Sequence, residues 1–389
     1  MEEIPEIYFP ALKDSLKKEV IEECGKEKID LVIDKYMPIL NIETFTRYLI
    51  MNRKKLNAGH TGFTELLLSL DSGFRQVCEL IKRFNITEKF IYGIEKSQCD
   101  ITTQIEHTIV NMLMTTNCLF YIISAAREEV ISIKPCRQAR YILAIDPIDG
   151  LANISSNFPM ATTFAIYRPN QVKDNYKDTL HCCGEKSIIV GGYVIYGAAT
   201  VLVIAFNAIR KVQEYMFDPI MGEFLLVKSG VRIPDKGDIC CVDNAKRHLW
   251  LVEQLTSFVP QTYANIKHTG SFVTNFHIIL KNGGVLVEPP LLNDPQAELQ
   301  IITKLTPLAF ICKIAGGISY GGYTLSENIL RIRPKRLHET SPFLMGSPLV
   351  MRAWNRLLAG KFDGEQECVE YKVVDPAESE KKRERSCKT

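Results

Sequence analysis

Residues 118–227 form a succession of short apolar runs rich in Val, Ile, Tyr and Phe, at 118–123, 141–145, 162–168, 187–190, 193–196, 200–205, 212–217 and 224–227. Runs of this length predict β-strands, and their continuous rather than alternating apolar character predicts a sheet covered on both faces. One run, Tyr141-Ile-Leu-Ala-Ile-Asp146-Pro-Ile-Asp149-Gly150, ends in two acids held by a Pro/Gly turn. A carboxylate pair at a strand end suits a hard, oxygen-ligated cation such as Mg²⁺.

The segments on either side read as helices and further strands. Residues 1–40 have helical periodicity in Leu12, Leu16, Val20 and Ile21. Apolar residues spaced by three and four predict two helices within 41–84, joined by a turn through Gly59-His60-Thr61-Gly62, and a third helix at 103–114. Gly230, Pro234, Asp235 and Gly237 mark a domain boundary. Beyond it, helices at 248–258, 273–281, 305–315 and 348–358 alternate with strands at 238–241, 284–287 and 343–346, predicting a layered α/β/α arrangement. The expected division is an N-terminal extension (1–40), a first domain (41–230), a second domain (231–362) and a charged, solvated tail (363–389).

Several classes are disfavoured. The 389 residues carry a net charge of +2 and no dense basic stripe, so no nucleic-acid partner is expected. The apolar run 188–206 is broken by Gly191, Gly192 and Gly197 and reads as two strands around a turn, so no membrane partner is expected. The opening Met-Glu-Glu-Ile-Pro lacks the features of a signal peptide, and the 12 cysteines form no CxxC or zinc spacing. These features suit free thiols in a reducing, cytoplasmic setting. Cys182-Cys183 beside His181 lacks a recognisable third catalytic group.

An ordered set of motifs then narrows the reading. They are Asn41-Ile-Glu-Thr-Phe-Thr-Arg47, Asp146-Pro-Ile-Asp149-Gly150 with Asn153-Ile154, Phe164-Ala-Ile-Tyr-Arg168, and Gly192-Tyr-Val-Ile-Tyr196-Gly197-Ala-Ala-Thr200. Phe217-Asp218-Pro219, Gly222-Glu223-Phe224, Gly270-Ser271 with His277, Pro307 to Gly317, and Leu344-Met-Gly346-Ser347-Pro348 follow. Together they resemble the fructose-1,6-bisphosphatases and the related sedoheptulose bisphosphatases over most of the chain. The resemblance implies a mixed α/β, five-layer αβαβα fold with an N-terminal regulatory and a C-terminal substrate domain, usually in a tetramer. It also implies Mg²⁺-dependent removal of the 1-phosphate from a ketose bisphosphate, in which acids arrange and deprotonate the attacking water.

The chain departs from that pattern at the chemistry. Where the family carries two metal-site glutamates before the Asp pair, ungapped alignment places Ala125 and Ala126. Glu128 and Glu129 would take their place only after a register shift. The family's later metal-site glutamate corresponds to Lys304, and its two water-positioning aspartates to Lys96 and Thr102, with Asp100 nearby. Asp146 and Asp149 remain as a residual metal pair. Lys304 either bridges them as a structural replacement for the metal or faces solvent, unrelated to them.

The implied substrate pocket has changed as well. Leu151-Ala152 stand where the family holds phosphate with two serines, while Asp243, Glu288 and Glu298 would repel one. Asn153, Lys246, Lys267 and His268 are the substrate-site remnants. Arg140, Tyr141 and Arg168 match the family's AMP contacts, and they serve equally well as ordinary strand residues. The expectation is a family member without hydrolytic activity and with no cofactor. It would act as a regulatory or structural subunit, in a homo-oligomer or with an active paralogue. The alternatives are an active Mg²⁺-dependent sugar bisphosphatase of carbohydrate metabolism and a nucleotide or sugar-phosphate sensor.

Overall fold

The computed structural model describes residues 43–57, 62–86, 98–133, 140–169, 180, 183–242, 265–288, 298–322 and 327–358. The expected extension, the helix at 248–258, the tail, Lys96, Asp243 and Lys246 lie outside them.

Among the described residues three helices come first, α1 (Phe45–Asn57), α2 (Phe63–Ile86) and α3 (Gln98–Met114). An eight-stranded sheet follows, built from β1 (Leu119–Ser124), β2 (Ile131–Ser132), β3 (Tyr141–Asp149), β4 (Met160–Tyr167), β5 (Ile188–Tyr196), β6 (Thr200–Phe206), β7 (Lys211–Asp218) and β8 (Glu223–Ser229). Its spatial order is β2-β1-β3-β4-β5-β6-β7-β8, antiparallel except for the parallel pair β1–β3. A five-stranded sheet is ordered β10-β9-β11-β13-β12. Its strands are β9 (Ile239–Val242), β10 (Asn265–Lys267), β11 (Val285–Glu288), β12 (Ile318–Gly321) and β13 (Phe343–Gly346). The helices of this half are α4 (Phe272–Asn282), α5 (Thr306–Ile314) and α6 (Pro348–Leu358). Both sheets belong to one compact unit ending at Met351.

The large sheet is buried on both faces, as its continuous apolar runs require. On one face Leu143, Ile145, Phe164, Val194, Leu202 and Ile204 pack against α1, α2 and α3. On the other, Ile142, Ala144, Ala165, Tyr193 and Val203 share a core with Phe276 of α4, Leu308 of α5 and Leu286 and Met345 of the small sheet. The described chain is thus layered helix, sheet, helix, sheet. Among the described residues, no helix is long and apolar enough to cross a membrane.

The sequence expectation divides β5 in two at Gly191-Gly192, whereas the strand runs unbroken from Ile188 to Tyr196. The glycines mark close approach rather than a turn. A Cβ on Gly191 would lie 2.9 Å from the Phe310 ring, and one on Gly192 would lie 2.3 Å from Phe164. Helix α3 starts at Gln98, five residues earlier than its periodicity suggests, with Ile101, Ile105 and Ile109 all buried at four-residue spacing. Here tertiary burial outweighs the β-branched Thr102-Thr103. Strands β10 and β12, three and four residues long, are additional to the expected strands.

Several buried acids lie away from the strand-end pair, Asp71 among them. Asp71 of α2 has no exposed surface and accepts a 2.5 Å bond from Arg75. Arg75 also reaches the Gly222 carbonyl at 2.7 Å and Glu223 at 3.2 Å, tying α2 to the β7–β8 turn. Burial pushes the Asp71 carboxyl up to about 7 against the lowering effect of Arg75. A carboxyl that holds its proton longer in the folded state destabilises that state as pH rises from its unfolded value of 3.8 to about 7. Asp71→Asn should therefore flatten the stability profile between about pH 5 and about pH 8. Urea midpoints at both pH values test this, and equal slopes for the two proteins would refute it.

Candidate functional site

Side chains alternate across a strand, so residues three apart normally face opposite ways. Asp146 and Asp149 escape this rule through a bulge. Asp146 pairs with Thr163 and Asp149 with Ala161, so three steps along β3 match two along β4. The extra residue restores a common face. Pro147, which has no N–H to donate, falls in the bulge, and its carbonyl accepts a 2.7 Å bond from Thr162. Gly150 follows with φ 76°, and any Cβ there would lie 2.7 Å from Ser271 Cβ. A glycine is required for this turn to meet the start of α4.

Both carboxylates are buried, with relative exposures of 7% for Asp146 and 5% for Asp149. Ser271 caps α4, its Oγ accepting from Thr274 N, and donates a 2.7 Å bond to Asp149 Oδ2. The Val273 N–H donates to the same oxygen at 3.0 Å. A carboxylate held at a helix N-terminus is favoured by the helix dipole and by charge-assisted hydrogen bonding.

Lys304 arrives from the opposite side. It lies in a π-helical turn, Ile301–Leu305, directly before α5. That turn is fastened to β4 by Thr163 Oγ1 donating to the Thr303 carbonyl at 2.8 Å and Tyr167 OH donating to the Ile302 carbonyl at 3.2 Å. Lys304 Nζ lies 2.6 Å from Asp149 Oδ1 and 2.9 Å from Asp146 Oδ2, with only 16% of its side chain exposed. Of the two placements open from sequence, the bridging one is adopted.

The charges are mutually dependent. Burial would raise Asp149, but the Lys304 charge and the bonds from Lys304, Ser271 and Val273 hold it below the usual carboxylate range. Asp146 is raised, because burial and the neighbouring Asp149 outweigh Lys304. Burial would lower Lys304, yet the two acids hold it well above its ordinary value and fully charged.

This donor set does not fit Mg²⁺, which demands several oxygen ligands at about 2.0–2.1 Å. An ammonium already stands between the two carboxylates. Ser124 pairs with Ile145, placing Ala125 beside Asp146, and the Ala125 N–H donates to the Ile145 carbonyl at 2.9 Å. Ala125 is half-buried and Ala126 exposed, and neither offers a ligand atom. Glu128 and Glu129 are exposed beyond the strand. Among the described residues, no group of three or more His, Cys, Asp or Glu is arranged to hold a metal.

The other described site residues have varied surroundings. Thr102 is half-buried on α3. Asn153 serves the fold, its amide bridging the Pro159 carbonyl at 2.8 Å and the Thr269 carbonyl at 2.7 Å. Lys267, His268 and Glu298 are exposed, and Glu288 is buried at the end of β11. Tyr141 is 1% exposed and packs on Phe63 with ring centroids 5.6 Å apart. Burial raises its hydroxyl to about 12, against the charge of Arg168. Its ring is therefore a core element between β3 and α2, while Arg140 is exposed and Arg168 half-buried.

Two contributions escaped the sequence reading. In sequence Ser271 reads only as part of the Gly270-Ser271 family motif, although Ser directly before an apolar helical run is an N-cap signal. Arg127, next to the alanines, binds the buried Glu106 at 2.6 Å, and nothing in the local sequence announces that pair.

Models of the fructose-1,6-bisphosphatase N-terminal and C-terminal domains match residues 43–229 and 233–359. The chain is 30% identical to fructose-1,6-bisphosphatase 1 of Rattus norvegicus over 323 residues, covering 79% of this chain and 86% of that protein. It is 26% identical to the cytosolic fructose-1,6-bisphosphatase of Arabidopsis thaliana over 323 residues, covering 79% and 92%. In fold it is similar to the holo form of Leishmania major fructose-1,6-bisphosphatase, with a TM-score of 0.71 and 23% identity over 81% of this chain and all of that one.

Ser271→Ala removes a helix cap and a donor to a buried charge, and should cost about 2–3 kcal/mol. Urea unfolding measures it, and a loss below about 0.5 kcal/mol would mean the Asp149–helix contact contributes little.

Proposed function

The chain belongs to the fructose-1,6-bisphosphatase family, and we propose that within it this protein works by binding rather than by hydrolysis, as a regulatory or structural subunit. The observation that carries this reading is the Lys304 ammonium, 2.6 and 2.9 Å from the two buried carboxylates. Metal-assisted phosphate hydrolysis needs a cation that polarises the phosphoryl group and positioned acids that activate water. A lysine supplies charge but no open coordination position. With Ala125 beside Asp146, the carboxylates at this strand end among the described residues are Asp146 and Asp149, and both are already paired. Each lost acid–base group is itself worth roughly 10²–10⁴-fold in rate.

The retained residues support a binding role. The buried sheet, the Gly191-Gly192 approach and the Asn153 bridge are all features of the scaffold, which stays intact around the altered site. On this reading the partner is a homologous subunit, in a mixed or homo-oligomer in the cytoplasm. The competing reading, an active Mg²⁺-dependent bisphosphatase, draws its support from family membership. A nucleotide sensor has less support, since Tyr141 is enclosed in the core.

Phosphate release from fructose 1,6-bisphosphate, with Mg²⁺ and with Mn²⁺, separates these readings. The wild type should release no more phosphate than a folded Asp146→Asn/Asp149→Asn control, and at least roughly 10⁴-fold less than an active relative. Metal-dependent turnover that disappears in the control would overturn the proposal.

A further inference from the structure

Helix α4 is attached to the large sheet along one line. Val273, His277 and Lys281 are spaced by four residues and share one helical face. The Val273 N–H meets Asp149 of β3 at 3.0 Å. His277 Nδ1 lies 2.8 Å from the Tyr193 hydroxyl of β5, and Lys281 Nζ lies 2.5 Å from Glu214 Oε2 of β7. Burial pushes the His277 imidazole down to about 4, so the ring is neutral and its Nδ1 can accept from the Tyr193 hydroxyl. The helix therefore crosses alternate strands β3, β5 and β7, with a polar contact at each crossing.

These crossings differ in what they demand. Tyr193–His277 is a neutral hydrogen bond, and Glu214–Lys281 is one acid with one base. At β3 two buried acids face a single helix end whose Ser271 and Val273 donors both go to Asp149. Two carboxylates on one face cannot stay charged and buried without a counter-ion. Lys304 supplies that charge from a turn that is itself bonded to β4 through the Thr303 and Ile302 carbonyls.

We propose that Lys304 is a tethered counter-cation that clamps the end of β3, the start of α4 and the turn before α5 together, so that the seating of α4 on the large sheet requires no divalent ion. The inference rests on the reading of the Asp pair as a site closed to metal. It adds a mechanical role for that site, as the fastening of the most heavily charged end of a three-point seam. Because the cation is covalently part of the chain, the clamp neither dissociates nor responds to metal supply.

Thermal melting tests this directly. Wild-type Tm should be the same in EDTA, in millimolar Mg²⁺ and in millimolar Mn²⁺. Lys304→Ala should lower Tm by on the order of 5–10 °C, because it strands two buried charges. Millimolar Mn²⁺ or n-propylammonium should recover part of that loss in the variant alone, since a ligand that binds only the folded state stabilises it by mass action.

Two outcomes would overturn the clamp. One is a Lys304→Ala protein that melts with the wild type, and the other is a wild type stabilised by Mn²⁺. Should Lys304→Ala fail to fold, Lys304→Met is compared with Lys304→Met/Asp146→Asn/Asp149→Asn. Removing the stranded charges should restore folding, and a triple variant no better than Lys304→Met would refute the electrostatic role. An unchanged Tm in Lys304→Ala sinks the clamp alone, whereas the separate phosphate-release assay decides the functional reading.

Discussion

Two carboxylates buried on one face of a strand end require a positive charge, and much of this structure is arranged around the lysine that provides it. Asp146 and Asp149 share a face only because β3 bulges at Pro147-Ile148, and the same bulge directs both into the layer occupied by α4 and the turn before α5. The Lys304 ammonium at 2.6 and 2.9 Å answers both acids at once. A buried ion pair adds little stability compared with a well-packed apolar substitute, but breaking one from a single side typically costs about 3–5 kcal/mol. The three residues are therefore energetically bound to one another, whatever the protein's activity.

The apolar layers place this cluster and the polar contacts set its register. The large sheet lies between two cores, and Gly191 lets the Phe310 ring and the Pro307 backbone of α5 come close to β5. That approach brings the turn carrying Lys304 down onto β4, where two carbonyl bonds hold it. Apolar packing alone is tolerant of small sliding movements, whereas hydrogen bonds from β3, β5 and β7 to one stripe of α4 are not. Their value lies in fixing one arrangement among the many that would bury similar area.

Family membership and site chemistry point in different directions, which is consistent with function residing in sites rather than folds. Residues matched to the family motifs carry scaffold tasks: Asn153 bridges two carbonyls, Tyr193 meets His277, and Gly150 allows Ser271 to approach. Around the Asp pair stand Ala125, on the neighbouring strand, and the Lys304 ammonium. Tyr141 combines a ring packed on Phe63 with a hydroxyl near the charges of Arg168 and Arg140.

From sequence alone, the buried sheet, two helices within 41–84, the Asp146–Asp149 pair and the lack of ligand atoms at Ala125 and Ala126 could be read, because each depends on local periodicity or on side-chain chemistry. The continuity of β5 and the early start of α3 could not, because burial by distant segments overrode local signals, and neither could β10, whose three residues are all exposed and carry no burial pattern. The choice between a bridging and a solvent-facing Lys304 was likewise undecided, as was the partner of Ser271. Those contacts span 155 and 122 residues of chain. Only the stacking of the second set of layers onto the first brings such distant residues within bonding distance, and that is where tertiary structure decided what the Asp pair would hold.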